Sequence, residues 1–73
     1  MHPSLATALA HLSQGRSQDA QTAFEAIVAT QTFNRRELRS VWRRLIAWYR
    51  LGMDGALECL VIVEEALKST DST

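Results

Sequence analysis

Few residues of this chain can move protons, attack carbon or hold metals, and those few are scattered. His11 lies among alanines and leucines with no acidic neighbour, and His2 stands at the very start. Cys59 has no histidine at a helical spacing, and its apolar surroundings suit an inert buried thiol. Glu64 and Glu65 are adjacent, so on a helix they point in different directions and cannot act as a carboxylate pair. Two histidines and one cysteine so widely separated do not make a metal site. The expectation is a chain with no catalytic, cofactor-binding or metal-binding residues, hence not an enzyme.

A different chemistry is concentrated between Asn34 and Leu51, NRRELRSVWRRLIAWYRL. This stretch holds six of the 8 basic residues, both tryptophans and the only tyrosine. Projected at about 100° per residue, Leu38, Val41, Trp42, Leu45, Trp48 and Tyr49 fill one arc. Arg35, Arg36, Arg39, Arg43 and Arg50 fill the adjacent arc with Ile46 among them, and Arg44 falls elsewhere. Guanidinium groups on one face can grip phosphates or a carboxylate-rich protein surface. They also make an ordinary solvated helix face, partly neutralised by acidic residues further along the chain.

Three features of composition bound the function. The formal net charge is 0 and the isoelectric point is about 6.7, which disfavours nucleic-acid binding by bulk electrostatics. A hydrophobic fraction of 47% is enough for a packed core in a chain of 73 residues, although that length leaves only a thin margin of stability. The single cysteine excludes an internal disulfide, and no apolar run approaches membrane-spanning length. No charged stretch leading into an apolar one marks a signal peptide, so a cytoplasmic setting is expected.

Hydrophobic spacing predicts four helices in one small all-α domain, arranged as two antiparallel hairpins. The first runs over about 5–13, with Ser4 as its cap and Leu5, Ala8, Leu9 and Leu12 as its apolar stripe. Gly15 ends it. The second runs over about 18–30, with Ser17 as cap candidate and a face of Ala20, Ala23, Phe24, Ile27 and Val28. The third, about 35–51, has the best-marked start. Asn34 is the cap, Glu37 follows as in a capping box, and Phe33 and Leu38 form a hydrophobic staple. Gly52 stops it. Asp54 is then expected to cap a fourth helix over about 55–68, packed through Ala56, Cys59, Leu60, Val63, Ala66 and Leu67. The polar residues 69–73 read as a frayed tail.

The two helix pairs repeat a pattern. Ala20, Phe24 and Ile27 correspond to Ala56, Leu60 and Val63, and Gly15 to Gly52. The segment LSQGRSQDAQTAFEAI (within 12–28) resembles the turn and second helix of a tetratricopeptide repeat, with Gly15 in the turn, Ala20 five residues on and Phe24 four after that. LGMDGALECLVIVEEAL (51–67) looks similar, with one residue fewer between glycine and alanine. The chain departs from the family at Ser4 and Thr7 in the first helix, at Leu45 or Ile46 where a small residue is usual, and at Thr32 in place of the closing proline. The resemblance implies stacked helical hairpins that bind another protein in a shallow groove.

These readings converge on a non-enzymatic protein–protein interaction module: a small adaptor, co-chaperone or assembly factor. Its expected partner-binding residues are Arg36, Arg39, Trp42, Arg43 and Arg50 on the third helix, with Leu57 and Val61 as an exposed aliphatic pair on the fourth. The expected partner is another protein with an acidic surface, a second copy included. The competing reading is a small nucleic-acid-associated regulator using the same arginines, for which no recognition-helix or base-stacking signature is present.

Overall fold

The computed structural model describes residues 3–31 and 33–71, and within them the chain is all-α. Four helices follow in order: α1 Pro3–Ser13, α2 Ser17–Thr30, α3 Arg35–Arg50 and α4 Ala56–Asp71. Each buries the face that its three- and four-residue spacing marks out. Leu5, Ala8, Leu9 and Leu12 of α1, Ala20, Phe24 and Ile27 of α2, Leu38, Val41 and Leu45 of α3, and Ala56, Cys59, Val63 and Ala66 of α4 form one core cluster. Phe24 is the largest fully buried side chain. A radius of gyration of 11.0 Å matches the roughly 11 Å expected of a compact chain this long.

Helix ends explain the connections. Asn34 caps α3 as expected: its Oδ1 accepts from the Arg36 N–H at 2.8 Å. At the far end, Gly52 takes a φ of 82°, with its N–H bonded to the Tyr49 carbonyl at 3.0 Å and the Met53 N–H to the Trp48 carbonyl at 3.0 Å. That double bond pattern is a Schellman motif, and it closes α1 as well, through Gly15 to Leu12 and Arg16 to His11.

Five boundary details differ from the sequence expectations. Helix α1 starts at Pro3, two residues early, because proline's fixed φ and missing N–H suit a first helical position. Ser4 therefore lies inside the first turn. Arg16, not Ser17, occupies the cap of α2 and makes no side-chain cap bond. The tight reversal at Gly15 brings Ser17 into helical geometry directly. Leu51 is the C-cap of α3 rather than its last helical residue. Asp54 does not cap α4, since Gly55 intervenes with φ 84° and its carbonyl accepts the first helical bond, from the Cys59 N–H at 3.2 Å. Finally, α4 continues to Asp71, so the described part of the polar tail, 69–71, is helical. His2, Thr32 and the last two positions of the tail lie outside the described residues.

Packing follows the two pairs. Helix α1 lies along α2 and α3 along α4; each pair is joined by a turn of a few residues and so runs antiparallel. Between pairs, α2 packs against α4 and, to a smaller extent, α1 against α3. Like helices therefore meet like helices. Gly55 shows how closely the pairs approach. A side chain there would collide with Ser17 Cβ and come within 3.2 Å of Leu12 Cδ1. The starts of α2 and α4 thus lie side by side at one end of the molecule, and the two helices run parallel.

Candidate protein interface

Helix α3 places its arginines by a simple rule. Leu38, Val41 and Leu45 have no exposed surface and fix the rotation of the helix. Arg36, Arg39, Arg43 and Arg50 must then fall on an exposed flank, where the structure has them. Trp42 lies between the core arc and this flank and is partly buried against the core. Its ring is held on one side by packing and open on the other.

On that open side, Arg39, Trp42 and Arg43 of α3 line a shallow groove with Glu64, Leu67 and Lys68 of α4. Arg36 and Arg50 are exposed on the same flank of α3 but do not line the groove. Leu57 and Val61 are 46% and 47% exposed on α4, also outside it. The structure therefore brings three of the seven expected contact residues into one site and leaves four around it. Lys68 and Leu67 are members that sequence reasoning did not single out. Lys68 shares one flank of α4 with Leu57, Val61 and Glu64 by spacing, whereas Leu67 belongs by spacing to the apolar face, and only the packing of α4 on α3 brings either to the groove.

Tyr49 departs from its expected place in the apolar arc. It is 49% exposed, in the last turn of α3, just before the chain reverses towards the start of α4 at Ala56. An amphipathic ring accepts such a position readily. Trp48 packs partly buried against the core, in keeping with a structural role.

A second open groove lies where α2 hands over to α3. Val28, Gln31, Phe33 and Arg35 line it together with Glu65, Ala66 and Ser69 of α4. The backbone at Gln31 is left-handed, with φ 54°, which turns the chain sharply beneath this groove.

The potential nucleophile is sealed. Cys59 has no exposed surface, and burial, with the neighbouring Glu58 charge adding to it, pushes its thiol pKa up from 9.0 to about 11. A thiol so placed is a small core hydrophobe. His11 is half-buried on α1. Among the described residues no three His, Cys, Asp or Glu side chains cluster as metal ligands, and no helix is long and apolar enough to cross a membrane.

No family model matches this chain, and neither the curated proteins nor the solved structures contain a match to it.

Proposed function

We propose that this chain is a non-enzymatic protein–protein interaction module, an adaptor, co-chaperone or assembly factor built of stacked helix pairs like tetratricopeptide repeats. The flank of α3 with its facing part of α4 is the contact surface, and the partner is a protein with an acidic surface. The single observation behind this reading is Trp42, anchored against the core and open to a groove flanked by Arg39, Arg43 and Lys68. Tryptophan and arginine are the residue types that most often carry interface energy. The like-with-like packing of α1 on α3 and α2 on α4 supports the repeat-like arrangement.

Phosphate is a poorer fit for the same groove. Glu64 stands among the cations, and its carboxylate repels a polyanion while leaving room for a protein surface of mixed charge. A gel-shift titration with DNA and RNA over a range of salt is the test. The expected outcome is no specific retardation at physiological salt. Tight retardation that weakens steeply as salt rises, the signature of counterion release, would overturn the protein-partner reading.

A further inference from the structure

Helix α3 carries a row of side chains that the groove takes up only in part. Arg36, Arg39, Arg43, Ile46 and Arg50 follow one another at alternating spacings of three and four residues. On a helix that alternation keeps them along one line, about 21 Å long from Arg36 to Arg50. The line lies on the side away from Leu38, Val41 and Leu45, which the core holds. Its four arginines are exposed and Ile46 is half-buried. Arg39 and Arg43 line the groove with α4, whereas Arg36 and Arg50 do not. Two unlike walls flank the row. On the α4 side stand the rings of Trp42, in the groove, and of Tyr49, seven residues on and 49% exposed. On the other side stand Ser40 and Ala47, small and exposed. Glu37, the one acid of α3, projects away from the row, and the charges of Glu64 and Lys68 across the groove cancel. The face is therefore basic through its four arginines.

We infer that this row seats an acidic α-helix of another protein, laid along α3 with carboxylates facing Arg36, Arg39, Arg43 and Arg50 and an aliphatic residue facing Ile46. The inference rests on the interaction-module reading and names the kind of partner. Charge complementarity calls for carboxylates, and spacing calls for a helix. A partner helix repeats along its own line every three or four residues, so it presents five side chains to the five of the row. An extended chain places side chains on one side about 6.8 Å apart and presents only four over the same length. The low wall of Ser40 and Ala47 lets a helix backbone come close, and the rings of Trp42 and Tyr49 take its apolar edge. A second copy does not supply such a helix. Within the helices of this chain no row at that spacing holds more than two carboxylates, and the row of Glu58, Val61, Glu65 and Lys68 on α4 includes a cation. A phosphate backbone would gain nothing from Ile46 or the rings beside it.

The probe is a synthetic helical peptide with four glutamates and one leucine at five successive positions of one such line, on an alanine-rich background. Its control has the same composition and helicity, with the glutamates spread round the helix. Both are titrated into the natural chain by calorimetry at physiological salt. The in-line peptide is expected to bind at least about tenfold more tightly than its control. An Arg36→Glu, Arg50→Glu chain should lose that binding by at least about tenfold, although neither residue lines the groove. An Ala47→Trp chain, which raises the low wall and leaves every charge in place, should also bind the in-line peptide more weakly. Circular dichroism shows that each variant is folded. Equal affinity for the two peptides, undiminished binding by the Arg36→Glu, Arg50→Glu chain, or tighter binding of duplex DNA or single-stranded RNA would each overturn the helical occupant. If the helical occupant falls while the natural chain still captures a protein through Arg39 and Arg43, the interaction-module reading stands.

Discussion

Cys59 and Gly55 show how single residues carry the fold. The Cys59 thiol titrates at about 11 in the folded chain and at 9.0 when exposed. As pH rises past 9.0 the unfolded state loses this proton first, so stability falls from there up to about 11 and is unaffected below. Urea midpoints measured at about pH 8 and about pH 10 should fall more for the natural chain than for Cys59→Ala. A thiol reagent should label Cys59 only after unfolding. Gly55 combines a left-handed backbone with a close approach to Ser17 and Leu12. Gly55→Ala should therefore cost about 2 kcal/mol or more, read from chemical denaturation. The same change at Gly52, where nothing lies within 4 Å, should cost only about 1 kcal/mol.

Among the elements, α3 was the most legible in the sequence, because its signals are local. The Asn34 cap and the Gly52 stop both act within a few residues of the boundary they set. Removing the cap with Asn34→Ala should cost about 1 kcal/mol of stability, measurable as a lower thermal midpoint. What local signals could not supply was tertiary. Asp54 followed by a small residue reads as a helix start, yet Gly55 stands outside α4 with a φ of 84°, and its closeness to Ser17, far away in sequence, leaves no room for a side chain there. Ser17 was the better capping residue by type, but the Gly15 reversal put Arg16 in that place. The same limit applies to the groove. Arg39, Trp42 and Arg43 were found from the periodicity of α3, whereas Lys68 and Leu67 join them only because α4 folds back alongside.

For the whole molecule, the outcome is a thin core with its chemistry on the outside. Four helices meet through mostly small and aliphatic side chains around Phe24, so the core has little to spare. Phe24→Ala should cost about 3–5 kcal/mol, enough to unfold a domain of this size, and loss of the helical circular-dichroism signal is the readout. Arg39 and Arg43, by contrast, are exposed and outside the core, so reversing their charge is expected to leave the fold intact and test the interface apart from it. A protein-interaction function requires that the α3–α4 flank touch protein. The most direct measurement is affinity capture from the native source with tagged natural chain and tagged Arg39→Glu, Arg43→Glu chain, both shown to be folded. The expected result is a specific protein, an untagged copy of this chain included, retained by the natural bait and lost from the variant. Equal capture by both baits would contradict the assignment of this flank as the contact surface.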